Sequence, residues 1–303
     1  MTPGRQRGAA LVVAMLVAAI AAAVATTLVV DGSRWQAVVE GRRDHARAAS
    51  LASAGVQWAR QALADDAAQG TIDHLDEPWA IPLPATPVEG GSVEGRIEDA
   101  QARLNLNAAA GEDASSARAR ERLAALFARR GVDPGLVDAL ADWIDADGTV
   151  REHGAEDDAY GRDDGVAANA PLARADELAA VRGFTPAVVA RVAGAVVALP
   201  AESTLNVNTA PADVLAAILP ALDAEALASV VAMRRAKPFA SVDDFRARVA
   251  REFPAPDTTG LGVASRYFLV SVRARQGEAV VLARALVVRD GRAMPRVAWQ
   301  VLD

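Results

Sequence analysis

A chain of 303 residues, 52% of them hydrophobic, is long enough for one large or two ordinary domains with buried cores. Aromatic residues make up only 4%, so those cores are built from Ala, Val and Leu. The net charge of −7 argues against a partner held mainly through phosphates, and the absence of cysteine excludes a disulfide framework, thiolate zinc sites and a cysteine nucleophile.

Arg5 and Arg7 precede Gly8, and Ala9 to Val30 then run for 22 residues without an ionisable side chain. About 20 apolar residues cross a bilayer as a helix. The arginines in front keep the start on the cytoplasmic side. The run is too long for the apolar part of an ordinary cleaved signal peptide, whereas a plain signal anchor and a prepilin-type anchor both accommodate it. From Asp31 to about Gln69 the chain stays helix-compatible, with no Pro and only Gly32, Gly41 and Gly55. Trp35, Val38, Val39, Ala46, Ala49, Ala52, Val56, Ala59 and Leu63 predict one packing face at helical spacing. A helix from Ala9 to about Gln69 would be about 90 Å long, half of it in the membrane and half against a globular head.

Pro78, Pro82, Pro84 and Pro87, followed by Gly90-Gly91, predict a loop, and Ser92 to Ile97 a strand. Leu104-Asn105-Leu106-Asn107 recurs as Leu205-Asn206-Val207-Asn208, each copy an alternating segment that runs into a helical one. Two related modules, or two strands bracketing an insert, explain the recurrence. Between the copies the pattern predicts helices over Ala117–Arg130, ending at Gly131, and over Pro134–Ile144. A further pair follows over Arg174–Arg182 and Pro186–Leu199. After the second copy come Ala212–Leu219, Ala224–Arg235 and a short helix near Val242–Ala250. Tyr267–Arg275, Ala279–Arg289 and Arg296–Leu302 alternate as strands, with turns at Gln276-Gly277-Glu278 and Asp290-Gly291, which predicts an antiparallel meander. The fold class is α+β.

The segment from Asp142 carries Asp145, Asp147, Glu152, Glu156, Asp157, Asp158, Asp163 and Asp164, with only Arg151 and Arg162 against them. So many carboxylates repel one another unless a cation neutralises them. Asp145-Ala146-Asp147-Gly148 has the alternation and Gly turn of a calcium loop, without the Glu that ends an EF-hand. A solvated acidic surface loop is the alternative. Nothing supplies the sugar-binding aromatics that paired-carboxylate hydrolysis needs. His45, His74 and His153 are scattered, and no nucleophile elbow, phosphate loop or His-Glu-x-x-His occurs, so no enzyme is expected.

Arg5-Gln6-Arg7-Gly8 followed by Ala9-Ala10-Leu11-Val12-Val13 resembles a type IV prepilin leader. The resemblance implies cleavage by a prepilin peptidase between Gly8 and Ala9 and methylation of the new N-terminus. The fifth mature residue, usually Glu, is Val13, as in the minor subunit found at the tip. Asp142-Trp143-Ile144-Asp145 leading to Gly154-Ala155-Glu156-Asp157, the two Leu-Asn-x-Asn segments and Pro238-Phe239-x-Ser241-Val242-x-Asp244-Phe245 together resemble the general secretion pathway protein K family, minor pseudopilins of type II secretion.

That resemblance implies a pilin-like long N-terminal helix packed on an antiparallel sheet, with an inserted all-helical domain of helix-hairpin-helix or SAM-like type. The division would be a leader over 1–8, a transmembrane helix over 9–30 and the pilin helix and first part of the head over 31–107. The helical insert would occupy 108–202, and a second helical pair with the final strands 203–303. It also implies inner-membrane anchoring through Ala9–Val30 with the bulk of the chain periplasmic, calcium sites in the insert, and partners among the other minor pseudopilins and the inner-membrane secretion machinery. Spacing alone does not single out the ligands. Asp145, Asp147, Glu156 and Asp157 are the candidates, with Asp142 beside them.

Leu205 to Phe245 also looks like the helix-hairpin-helix of competence DNA-binding proteins. Its hairpin, Leu219-Pro220-Ala221-Leu222-Asp223, lacks the glycines that let backbone approach a phosphate. Arg234, Arg235 and Lys237 are balanced by nearby acids, so no nucleic acid is expected. A minor pilin of a true type IV pilus is the nearer alternative.

Overall fold

The computed structural model describes residues 4–164 and 167–303. Met1 to Pro3 of the expected leader lie outside the described residues. Helix α1 spans Gly4–Ala67 without interruption, as a Pro-free, Ala-rich stretch should. At 1.5 Å per residue its 64 residues make a rod of about 96 Å.

Only the far half of α1 packs against anything buried: Ala48, Ala52, Val56, Ala59 and Leu63. Trp35, Val38, Val39 and Ala46, expected on that face, remain exposed. The head begins at the level of Asp44, where a Cβ on Gly277 would meet the Asp44 carboxylate at 2.3 Å, so the face cannot extend below that point. Gly55 marks the closest approach of helix to sheet, with space for a Cβ only 2.6 Å from the Val272 side chain.

The sheet has five antiparallel strands in the order β1-β2-β7-β8-β9. Its first two are β1 (Leu83–Val88) and β2 (Gly91–Asp99). The proline-rich stretch expected as a loop therefore contains a strand. Because β1 is the sheet's edge, Pro84 and Pro87 break no interior ladder, and the register slips between Leu83 and Thr86.

Strand β3 (Leu104–Asn105) opens a helical body. It continues through α2 (Ala114–Arg129), α3 (Leu136–Ile144), α4 (Asp157–Asp164), α5 (Pro186–Val192), β4 (Val196–Val197), β5 (Leu205–Asn206), α6 (Ala212–Ile218), α7 (Ala224–Ala236), α8 (Val242–Val249) and β6 (Leu261–Gly262). The chain then returns to the sheet as β7 (Tyr267–Gln276), β8 (Ala279–Val288) and β9 (Arg296–Leu302). Three expectations need correction here. The acidic segment includes a helix, α4; Ala175–Ala180 is a 3-10 turn rather than α-helix; and α5 ends at Val192, before the short strand β4.

Alternation along the strands sends Phe268, Val270, Val272 and Ala274 of β7, with Val281, Ala283, Ala285 and Val287 of β8, toward α1. The opposite face buries Tyr267, Leu286 and Val288 against Val197 and Leu199 of the helical body. That body has one apolar core that draws residues from Leu104 to Leu261.

The recurring Leu-Asn-x-Asn segments are structurally equivalent. Each Leu-Asn pair forms a short parallel ladder, β3 with β4 and β5 with β6. The second Asn of each copy then clasps one distant residue through both of its backbone groups. Asn107 donates to the Leu172 carbonyl at 2.9 Å and accepts from its N–H at 2.9 Å. Asn208 does the same to Phe239 at 3.0 and 2.9 Å. The clasped segments match as well, Pro171-Leu172-Ala173 against Pro238-Phe239-Ala240. Of the two readings of the recurrence, related modules is the one the hydrogen bonds support. In the first module the acidic segment, residues 145–170, stands where the second has only Lys237.

Candidate functional site in the N-terminal helix and the acidic segment

Along residues 10–29 of α1 no side chain is buried, and Leu11, Val12, Val13, Met15, Leu16, Val17, Ile20, Val24, Leu28 and Val29 all stand exposed. Among the described residues this is the one helix long and apolar enough to cross a membrane, with a mean hydropathy of 2.6 over its most apolar window. Apolar side chains all round a helix require an apolar surrounding, either lipid or sister helices. Gly8 and Ala9 lie within the helical backbone at its start. Val13 adds no charge to this surface.

In the helical body, the acidic segment folds back on the end of α3. Asp142 is fully buried and organises the loop: its Oδ2 accepts from the N–H groups of Arg151, at 3.2 Å, and Ala155, at 2.9 Å. Gly154 is required for this, since a Cβ there would lie 1.7 Å from the same oxygen. Asp145 and Glu156 are buried beside it, 6% and 7% exposed. Asp147 and Asp157 lie exposed at the rim, where each carboxylate accepts a backbone N–H, from Thr149 at 2.8 Å and from Ala167 at 2.9 Å.

The electrostatics follow from that arrangement. Burial pushes the Asp145 carboxyl up, an effect that its bond to Arg151 opposes. Glu156 is pushed up by burial and then by Asp142, Asp145, Asp157 and Asp147 in turn. Burial works against the charge of Arg151, but its bonds to Asp142 and Asp145 outweigh that and raise its pKa. A single guanidinium therefore serves both carboxylates and also reaches Glu112.

Even so, among the described residues Asp145 Oδ1 and Glu156 Oε1 are buried with no hydrogen-bond partner. Unsatisfied buried carboxylate oxygens are costly, and an all-oxygen set of this kind suits a hard cation. The donor chemistry suits calcium, with Asp142, Asp145 and Glu156 inside and Asp147 and Asp157 at the edge, but these acids do not converge within 4.8 Å of one another as a single-ion group.

A second cluster escaped the sequence reading. Asp66, Asp73 and Glu77 bring ligand atoms within 4.8 Å of one another. Here a protein cation is already in place: Arg289 donates to Asp66 at 2.6 Å, to Asp73, and to the Ser265 carbonyl at 2.8 Å. Asp99 lies alongside, fully desolvated. Its Oδ2 accepts from Ser265 and Thr209 hydroxyls at 2.6 Å each and from the Asn206 amide at 3.0 Å. These groups join the end of α1, the end of β2 and the helical body at one point. Only their distances in space reveal them, since Arg289 and Asp66 stand 223 positions apart.

Arg234 also lies elsewhere than the DNA-binding alternative needs. It is buried and donates to the Val207 and Ala210 carbonyls at 2.9 and 2.6 Å, which makes it a brace inside the second module.

Profiles described as "Type II secretion system (T2SS), protein K" match residues 102–201 and 205–264. The type II secretion system protein K of Pseudomonas aeruginosa is 33% identical over 282 residues, spanning 88% of this chain and 83% of that protein. The chain belongs to the type II secretion system protein K family. The protein K of Klebsiella pneumoniae is 30% identical over 95% of this chain and 94% of its own length. A chain in the crystal structure of the GspK–GspI–GspJ complex from enterotoxigenic Escherichia coli superposes with a TM-score of 0.76 at 26% identity, covering 88% of this chain and 99% of that one. The protein K profiles divide at the boundary between the two Asn-clasped modules.

Proposed function

We propose that this chain is the minor pseudopilin that caps and initiates the pseudopilus tip in type II secretion, moving folded proteins outward across the outer membrane. One observation carries the reading: the helical body is attached where α1 ends, through Asp99, Asn206 and Ser265 beside Asp73, at the opposite end of the sheet from the apolar segment. A subunit built this way offers an apolar helix for packing below and no vacant sheet end for another subunit above. Its partners are the counterparts of the GspI and GspJ proteins that accompany GspK in the related complex. The role is structural rather than catalytic.

Residues 9–30 anchor the chain in the inner membrane with the head in the periplasm, after a prepilin peptidase has cut between Gly8 and Ala9 and the new N-terminus has been methylated. Val13 at the fifth mature position leaves no carboxylate in the bilayer in need of a neighbour's amine, which suits the first subunit in. Replacing Gly8 with valine is expected to leave a protein longer by the eight leader residues, seen by intact mass, and to abolish secretion. Normal processing of that variant would remove the prepilin reading.

Calcium is the cation assigned to the acidic segment, held by Asp142, Asp145 and Glu156 with Asp147 and Asp157 at the rim. Bound there, it would neutralise the segment and order the chain between α3 and α5. At a calcium concentration of about 100 Kd the native state gains about 2.7 kcal/mol, read as a rise in Tm that EGTA reverses. Asp145→Asn with Asp147→Asn is expected to lose most of that rise. An equal rise in the variant would place calcium elsewhere.

A further inference from the structure

Arg151 lies among the same acids that the calcium reading gives to the ion. Its Nη1 lies 2.6 Å from Asp142 Oδ1 and 2.6 Å from Asp145 Oδ2, and its Nη2 reaches Glu112. Its side chain is 15% exposed, whereas that of Glu112 is 72% exposed. The guanidinium thus has one end among buried carboxylates and the other on a partner at the surface.

The charges do not balance. Among the described side chains, Asp142, Asp145 and Glu156 bring three carboxylates into the interior and Arg151 returns one positive charge. The deficit is located on particular atoms, because among the described residues Asp145 Oδ1 and Glu156 Oε1 are the buried acidic oxygens left without a partner. An ion accepting Asp145 Oδ1 would share that carboxylate with Arg151, which already holds Oδ2. Like charges on one carboxylate repel strongly where water is excluded.

From this geometry we infer that Arg151 is a resident counter-cation that competes with the divalent ion for the acidic site, holding Asp142 and Asp145 when the site is metal-free and swinging out on Glu112 when the ion enters. The inference rests on the calcium reading above. Arg151 spares the metal-free protein two unpaired buried carboxylates, and its removal from them opposes every binding event. The calcium affinity is therefore set below what the acids alone would give. The backbone N–H of Arg151 stays on Asp142 Oδ2 in this scheme, so the loop keeps its anchor while the side chain moves.

The test uses the full chain in detergent, titrated with calcium by calorimetry and with terbium by luminescence. Trp143, packed on Tyr160 with ring centroids 4.9 Å apart next to Asp142, is the sensitiser. Arg151→Gln is expected to bind calcium at least about tenfold more tightly than wild type, with a lower Tm in EGTA and a larger Tm rise on adding calcium. Arg151→Lys, which keeps a charge but loses the fork, should fall between the two. Equal or weaker calcium binding by Arg151→Gln, with binding intact in wild type, overturns the competition and leaves the calcium reading standing. Calcium binding that survives in Asp145→Asn/Glu156→Gln, or is absent from wild type and Arg151→Gln alike, overturns both. Circular dichroism at saturating calcium checks that Arg151→Gln is folded, and the Arg151→Lys affinity decides the matter if it is not: a value equal to wild type or weaker overturns the competition.

Discussion

Replacing Arg289 with alanine is expected to destabilise the protein by about 3–5 kcal/mol, the range found when one member of a buried ion pair is removed. Arg289 is 8% exposed, and its guanidinium satisfies two carboxylates and a carbonyl while lying 4.7 Å above the Phe268 ring. Its loss leaves Asp66 half-buried and Asp73 buried without their cation. It also frees the end of α1 from the sheet. Urea unfolding followed by tryptophan fluorescence reads the effect, since Trp79 packs edge-on against the same Phe268 at 5.2 Å. Arg289→Lys should recover only part of the loss, because one ammonium cannot span both acids. Adding Asp73→Asn to Arg289→Ala should restore some stability, as one of the stranded charges is then gone. A loss below about 1 kcal/mol in the alanine variant would show that the cluster contributes nothing.

Lowering the pH from 7 to 5 is expected to stabilise the protein, by about 1 kcal/mol from Asp99 alone. Burial pushes its carboxyl up to about 6, and the bonds from Ser265, Thr209 and the Gln101 N–H offset only part of that. In the unfolded chain the group titrates near 3.9. The folded state therefore holds the proton more tightly, so this stability is complete below about pH 4 and is lost as the pH rises through 6. Asp66 and Glu77, also pushed up by burial, act in the same direction. Asp113, Asp257 and Asp290 are held low by hydrogen bonds and titrate beneath this window. Asp99→Asn should flatten the profile. It should also cost about 1–3 kcal/mol at pH 7, where the group is charged, since the amide cannot accept from all four donors that the carboxylate serves. Midpoints of urea unfolding at the two pH values decide it. A wild type less stable at pH 5, or an unchanged slope in the variant, would be the contrary result.

What could be read in the sequence was whatever local periodicity determines. The long helix was expected from Ala9 to about Gln69 and runs Gly4–Ala67. The final meander matched within a residue or two, because alternating strands are separated by glycines that adopt positive φ, Gly277 at 52° and Gly291 at 64°. Edge strand β1 was hidden because proline is a breaker everywhere except at a margin. The packing face of α1 was displaced from Ala48 to Ala46, since neither alanine carries a signal of its own and only the sheet's position selects between them.

In the acidic segment the composition pointed to a cation without revealing which acids turn inward. Asp142 became central through Gly154, twelve positions on, and Arg151 through a fork that reaches three acids at once. The clasps of Asn107 on Leu172 and Asn208 on Phe239 needed the third dimension as well. The repeated letters gave the modules, and the hydrogen bonds explain why asparagine stands at those positions.

The unburied stretch at the start of α1 constrains how the subunit leaves the bilayer. Its ten large aliphatic side chains, each worth about 1.5–3 kcal/mol, would charge on the order of 15–30 kcal/mol for exposure to water. Extraction into solvent is closed at that cost. Outward travel must be a hand-over, in which each lipid contact is exchanged directly for a neighbouring helix. A tip subunit can rise only as fast as companions arrive to receive it.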